Sequence, residues 1–419
     1  MLNKPIEVNY KKETTAQNRN RNMNFDGKRV LIWGYGREGK STEDFLKRAC
    51  KPQSITVFEG KREEIDEDAY DLIIKSPGIV MEEDNPKYSS QTQIFLEAYA
   101  SQTIGITGTK GKSTTSSMLF TVLSKCTDRP VLLLGNIGQP CLDYYDSMTE
   151  DTIVVFEMSC HQLCHNTVSP HIAVFLNLFE EHLDYYKTVE KYFTAKSHVA
   201  TYQKDGDIFY VGDNVPDIAT KANKTVISPT NIGHYELSIE GEHNQYNAEF
   251  VYRIATEQFG CNPDEVKAAI REFKGLSHRL EYVTTKGKVR YFDDSISTIP
   301  EAAISAATSI EDAKTLLIGG MDRGIDYTKI IKFMQNHSEY NYICMYASGK
   351  RIYDSLKAEK PEVDSDYVYY VEDLQSAVNL ADKITDAGSV ILSPAAASYG
   401  YFKNFEERGD VFKSLVTKE

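Results

Sequence analysis

The chain has 419 residues, which suggests two to four domains at roughly 100–200 residues each, and its 41% hydrophobic and 26% charged residues are the composition of a globular protein. A net charge of -14 argues against wholesale nucleic-acid binding and leaves room only for a local basic site. No apolar run reaches the roughly 18 residues that a membrane-crossing helix needs, and seven cysteines, an odd number scattered along the chain, fit reduced thiols in a cytoplasm better than a disulfide framework.

Residues 1–24 are polar and lack the apolar stretch of a secretory leader, so they read as a loosely ordered extension. "KRVLIWG" (Lys28–Gly34), "SITVFEG" and "YDLIIKSPGI" read as strands, with a helix over "EGKSTEDFLKRA". This β-α-β alternation implies a parallel sheet. A helix near Gln93–Ala100 leads to the strand "TIGIT", and a domain boundary falls near residue 101. Further strands are expected at "RPVLLLG", "DTIVVFE", "HIAVFLNL" and "DIFYVG", with helices at Ser113–Leu123, Val189–Tyr202 and Asn247–Phe259. "FKGLSHRLEYV" reads as the exit from this second unit. "VRYFDDS", "KTLLIGG", "NYICMYASG", "DYVYYV" and "SVILSPA" are the expected strands of a third, with a helix over "SAVNLADKITDA".

Two glycine-rich turns carry chemistry. In "GITGTKGKSTT" the glycines at 105, 108 and 111 permit tight turns whose backbone N–H groups can face phosphate oxygens at a helix N-terminus. Lys112 would reach the β- and γ-phosphates, and Ser113 would offer a hydroxyl to Mg²⁺. The usual P-loop spacing puts its first glycine where Ile106 stands, so this loop is a variant. "GYGREG" (Gly34, Gly36, Gly39), with Glu59 closing the next strand, is on paper a dinucleotide fingerprint, which keeps an NAD-dependent enzyme open as a rival. The roughly 75 residues before the phosphate loop are too few for both halves of a full dinucleotide fold. Glu157 and His182 both follow strands of the second unit, so an open parallel sheet would bring them to the edge that holds the phosphate loop. Mg²⁺ prefers oxygen, so Glu157 with Ser113 is an easy site. A lone histidine is more often a satisfied polar residue than a ligand, and Lys196 on pattern alone is a surface lysine. "CHQLCH" (Cys160–His165) lacks zinc or haem spacing.

The phosphate loop resembles that of the Mur ligases, which build the peptidoglycan stem peptide. "GNIG" (135–138), "FEMSCHQL" (156–163), "NLFEEHLDYY" (177–186), "FTAKSHV" (193–199), "GEHNQYNAEF" (241–250), "GLSHRLE" (275–281), "DDS" (293–295), "GGMDRG" (319–324) and "SPAAASYGYFKNFEERGDVF" (393–412) follow in the family's order, over nearly the whole chain after residue 24. They are closest to the glutamate-adding branch.

The resemblance implies three α/β domains: a Rossmann-like UDP-sugar domain (25–100), a central P-loop ATPase-like domain with a parallel or mixed sheet (101–281) and a Rossmann-like glutamate domain (282–419). It implies ATP contacts at Gly108, Thr109, Lys110, Gly111, Lys112, Ser113, Thr114, Asn244, Asn247, Arg279 and Asp294. UDP-sugar contacts would come from Arg37, Glu38, Glu59, Gly78, Asn136, Ser159, Gln162 and His182, and glutamate contacts from Thr298, Arg323, Ser398, Asn404 and Phe405. Two Mg²⁺ would be held by Ser113, Glu157, His182 and Lys196, the last as a carbamate, and Lys112, Glu157, His182 and Lys196 would be catalytic.

The implied reaction joins D-glutamate to UDP-N-acetylmuramoyl-L-alanine through an acyl phosphate at the cost of ATP, in a cytoplasmic monomer that neither binds nucleic acid nor enters a membrane. Two departures loosen the choice of amino acid: Ile296 and Arg323 stand where the family has lysines. A variant subgroup that adds L-glutamate is therefore a live alternative. A folylpolyglutamate synthase would not need the "GYGREG" domain, and a non-catalytic nucleotide-gated binding protein would have no use for Glu157, His182 and Lys196 together.

Overall fold

The computed structural model describes residues 25–81, 85–181, 183–239, 241–359 and 367–418. The expected N-terminal extension and His182 lie outside the described residues. Packing divides the chain into two compact units, one ending at Asn231 and one beginning at Ile232.

The first unit carries two parallel sheets. In the first sheet, β1 (Arg29–Trp33), β2 (Ser54–Phe58), β3 (Leu72–Lys75) and β4 (Tyr88–Ser89) lie in the order β2-β1-β3-β4. The apolar run of β1 is central and buried, as a strand covered on both faces must be. The chain steps from β1 out to β2 and returns on the other side as β3. Their carboxyl ends therefore flank a topological switch point, the usual ligand crevice of such sheets. Gly34 (φ +92°) ends β1, and the helix Arg37–Ala49 then starts hard against it: a methyl group on Gly39 would lie 2.2 Å from the Gly34 carbonyl oxygen.

The second sheet contains β5 (Thr103–Thr107), β6 (Val131–Gly135), β7 (Ile153–Glu157), β8 (Ile172–Phe175), β9 (Ile208–Gly212) and β10 (Asn223–Ile227), in the order β10-β9-β8-β5-β7-β6. All its pairings are parallel. The central strands β5, β7 and β8 are buried along their whole length, whereas the edge strand β10, "NKTVI", is mostly exposed. That polar edge is why its sequence does not announce a strand.

The second unit holds the helices His243–Arg253 and Pro263–Glu272 and a third sheet of β11 (Glu281–Lys286), β12 (Val289–Asp293), β13 (Ala313–Ile318), β14 (Asn341–Met345), β15 (Val368–Val371) and β16 (Gly388–Leu392). Its order is β11-β12-β16-β13-β14-β15, parallel except for the β11–β12 hairpin, so the sheet is mixed.

Two expectations need correction. The expected strand "NYICMYASG" stops at Met345; Tyr346 (φ +59°) turns the chain into the helix Tyr346–Glu359. The turn is fixed from outside, because the buried Ser348 hydroxyl accepts from the Gly320 N–H (2.8 Å) and donates to its carbonyl (3.1 Å). The helix expected over Asn247–Phe259 starts earlier, at His243, and its end widens into a π-turn over Ile254–Gln258. Among the described residues no helix is long and apolar enough to cross a membrane, and no cysteine is joined in a disulfide.

Gly39→Ala should lower stability by roughly 2 kcal/mol, because the Gly34 backbone cannot retreat from a new methyl without unseating the helix. A denaturation midpoint equal to that of wild type would show that the helix is not seated this closely.

Candidate active site

The phosphate loop runs from the carboxyl end of β5 into the helix Lys112–Cys126. Gly111 holds the N-cap position in the left-handed region (φ +83°), and no side chain caps the helix. Its first N–H groups are thus left for an anion. The loop is pinned from the segment after β8. Asn177 accepts from the Lys110 N–H (2.9 Å), donates to the Lys110 carbonyl (3.0 Å) and accepts from the Thr109 N–H through its own carbonyl (2.9 Å). The Thr109 hydroxyl accepts from the Phe179 N–H (2.9 Å). Lys112 folds back so that its Nζ donates to the carbonyls of Gly108 and Thr109, both at 3.0 Å. Lys110 pairs with Glu181 at 2.7 Å. Ser113 and Thr114, half-buried, form the first turn of the helix.

One strand away, Glu157 closes β7 opposite Ile106, fully buried. Asn136 donates to its Oε1 (2.8 Å), while Oε2 is buried with no hydrogen-bond partner. A buried carboxylate oxygen left unpaired is costly, so this atom suits a cation or a cation-bound water. Lys196, on the helix Val189–Thr201, is 1% exposed. Its Nζ donates to the Gly108 carbonyl (2.7 Å) and the Thr107 hydroxyl (3.4 Å), 4.8 Å from the Tyr192 ring centroid. Burial, reinforced by the nearby Lys112 ammonium, depresses its pKa to about 7. Burial also lowers that of Lys112. The sequence pattern made Lys196 a surface lysine; the structure makes it a buried amine at the phosphate loop.

Of the residues assigned to the UDP-sugar, Glu38 and Gln162 touch: the Gln162 amide donates to Glu38 Oε1 (2.8 Å). Gln162 is fixed by a capping box, accepting from the Ser159 N–H at 3.0 Å. Arg37 reaches the carbonyls of Asn136 (3.4 Å) and Gly138 (3.5 Å). Glu59 and Gly78 are exposed just beyond the carboxyl ends of β2 and β3.

In the second unit, Asn244 and Asn247 are buried on one helix, the Asn247 amide donating to Asn244 Oδ1 (3.0 Å). Asp294, just past β12, accepts from the hydroxyls of Ser297 and Ser393 and from the Leu280 N–H. Burial outweighs these bonds and raises its pKa to about 6. Arg279 and Arg323 are exposed, Thr298 is half-buried and Ser398 buried. Asn404 caps the helix Phe405–Thr417, and Phe405 meets the His278 ring edge-on at 6.1 Å.

Sequence reading missed the residues that hold these loops. Asn177 lies inside a family-like block but carries no signal of its own. His278, with its Nδ1 2.7 Å from the buried Asp293, and Arg408, bonded to Ser295 and the Ala396 carbonyl, look like ordinary surface charges in sequence. His278, Glu281 and Asp293 are close enough together to suggest a metal site, but Lys413 already sits 2.6 Å from Glu281 and supplies the cation.

The family model of the Mur ligase middle domain matches residues 106–260. The chain is 30% identical over 423 residues to the UDP-N-acetylmuramoylalanine--D-glutamate ligase of Aquifex aeolicus, covering 93% of this chain and 98% of that one. The chain belongs to the Mur ligase family. It is an ATP-dependent ligase. Another relative, also 30% identical over 93% of this chain and 97% of its own, is the UDP-N-acetylmuramoyl-L-alanine--L-glutamate ligase of Salinispora tropica. A solved Mur ligase, the UDP-N-acetylmuramate-alanine ligase of Thermotoga maritima, shares the fold with a TM-score of 0.56 at 19% identity, over 93% of this chain and 100% of that one.

The buried Lys196 leaves a mark on stability. Its pKa is about 7 in the native state against the ordinary 10.5, so between these values the unfolded chain binds more protons than the native one. The lysine's contribution therefore rises with pH, by at most about 1.4 kcal/mol per unit, and is lost as pH falls through 7. Subtracting the stability of Lys196→Met from that of wild type in carbonate-free buffer should give a difference that climbs from pH 7 to 9. A flat difference would refute the depressed amine.

Proposed function

We propose that the chain joins glutamate, in its D form, to UDP-N-acetylmuramoyl-L-alanine, a step of peptidoglycan synthesis that serves cell shape and division, and that it works as a monomer in the cytoplasm. The observation that supports this most is the convergence of the Lys112 and Lys196 Nζ atoms on the Gly108 carbonyl, beside the unpartnered Glu157 oxygen. A carboxylate and an amine do not condense at neutral pH, and cations at a phosphate loop are what a carboxylate needs to accept a phosphoryl group.

The substrate's terminal carboxylate attacks the γ-phosphorus of ATP, the bond to the β-phosphate oxygen breaks, and ADP leaves an acyl phosphate. The amine of glutamate then attacks the acyl carbon and gives up a proton, and inorganic phosphate departs with the activating oxygen. In this reading Lys112 swings from its two carbonyls to the β- and γ-phosphates. The N–H groups from Gly108 to Thr114 cradle them, and Asn177 keeps the loop open for them. Asn244, Asn247, Arg279 and Asp294 serve the rest of ATP. Arg37, Glu38, Glu59, Gly78, Asn136, Ser159, Gln162 and His182 serve the sugar nucleotide, while Thr298, Arg323, Ser398, Asn404 and Phe405 serve glutamate. The domains 25–100, 101–281 and 282–419 divide these tasks.

Two Mg²⁺, when bound, would neutralise charge on the phosphoryl and acyl oxygens. Ser113 and Glu157 would hold one, with Glu157 Oε2 unpartnered for it. His182 and a carbamate on Lys196 would hold the other. A buried amine that is part-neutral at pH 7 is the chemistry CO₂ requires. L-glutamate is the second reading, kept open by Ile296 and by the Salinispora relative.

Lys112→Ala should lower sugar-nucleotide-dependent ADP release by at least about a thousandfold; near-normal turnover would remove the phosphate-loop assignment. Lys196→Ala should be nearly inactive and regain activity with short carboxylates, and a mutant that simply works would end the carbamate. Supplying each glutamate enantiomer with ATP and UDP-N-acetylmuramoyl-L-alanine should give amide product with D-glutamate; turnover of the L form alone would reverse that choice.

A further inference from the structure

At the switch point of the first sheet, Lys75 is the last residue of β3, paired in register with Trp33 at the end of β1. It is 5% exposed, yet among the described residues its side chain makes one hydrogen bond, from Nζ to the Ile79 carbonyl (3.2 Å). The next residue sews the crevice shut beneath it: the Ser76 N–H donates to the Trp33 carbonyl (2.8 Å) and its hydroxyl to the Gly34 carbonyl (3.0 Å). Lys75, Ser76, Gly39 and Glu38 line one crevice at the N-terminus of the helix Arg37–Ala49.

The natural partner for a buried ammonium here is the Glu38 carboxylate, but the two form no ion pair. Gln162 holds Glu38 Oε1 at 2.8 Å, and Oε2 is buried without a partner. Gln162 has no freedom to let go, because Ser159 occupies its carbonyl. The result is an ammonium with unused donors beside the uncapped start of a helix, both favourable to negative charge. Burial lowers the pKa of Lys75 and raises that of Glu38, as expected for two groups waiting for compensation.

We propose that Lys75 binds the diphosphate of the sugar nucleotide, and that Gln162 keeps Glu38 from neutralising it beforehand. This rests on the sugar-nucleotide reading and adds a residue to it. Glu38 thereby has a supporting part: its carboxyl is held aside for the anion, and Lys75 makes the contact. The ligand class follows from the donors, which are an ammonium and helix N–H groups with no free acceptor facing them except Glu38 Oε2. Such a set takes a phosphate-bearing ligand in preference to a neutral one.

The test is calorimetric titration of the full chain with UDP, with ADP as the control ligand, alongside thermal unfolding. Lys75→Met should weaken UDP binding at least tenfold, leave ADP binding unchanged and melt at or above the wild-type temperature, because it removes a buried charge. Unchanged UDP affinity in Lys75→Met would overturn the proposal, as would a melting temperature clearly below wild type, which marks a structural lysine. If wild type itself ignores UDP, the sugar-nucleotide reading fails and this inference with it; failure of the Lys75 variant alone removes only the inference.

Discussion

One carbonyl oxygen, that of Gly108, accepts from two lysines. Two ammonium groups so close repel each other, and burial removes the water that would screen them. The arrangement persists because the surrounding structure over-determines it. Lys112 is tethered by a second carbonyl, Lys196 by the Thr107 hydroxyl and the Tyr192 ring, and the loop itself by Asn177. The strain has two outlets, and both are chemical: an anion can enter the loop, or Lys196 can become neutral. Nucleotide binding and the proposed carbamate on Lys196 would answer the same electrostatic problem.

The same logic appears at the first sheet with different residues. There a buried ammonium and a buried carboxyl are kept apart by a glutamine that is itself held in a helix cap. Both sites lie at the carboxyl ends of parallel strands, where helix N-termini already favour negative charge. On the proposed readings, a lysine at such an edge that makes no ion pair with the nearby carboxylate is where the ligand's charge would sit. Asp294 in the second unit shows the opposite case. Its carboxylate is satisfied by hydroxyls and an N–H, so it needs no cation to stay in place.

Much of this was legible in the sequence because local signals and topology agree. The apolar runs of β1, β5, β7 and β8 are long enough to force central strands, and the glycines that end β1 and open the phosphate loop fix where the ligand edges lie. Strands without such runs were not legible. β10 is polar because it is an edge, and β11 belongs to a hairpin packed on one side only. The first turn of the helix from Tyr346 reads as the end of a strand because its start is set by Ser348 bonding to Gly320, a partner far along the chain. The burial of Lys196 could not be read from its helix either; what buries it is the phosphate loop. Lys75 reads in sequence as the polar end of a strand, and only the position of Glu38 gives it meaning.

The proposed chemistry depends on the cationic edge making a carboxyl group accept phosphate. The most direct measurement is the fate of the carboxylate oxygens: UDP-N-acetylmuramoyl-L-alanine labelled with ¹⁸O in its terminal carboxylate, turned over with ATP and glutamate, and the released phosphate analysed by mass. Activation as an acyl phosphate predicts one labelled oxygen in each phosphate formed. Phosphate free of label, with amide product accumulating, would contradict it.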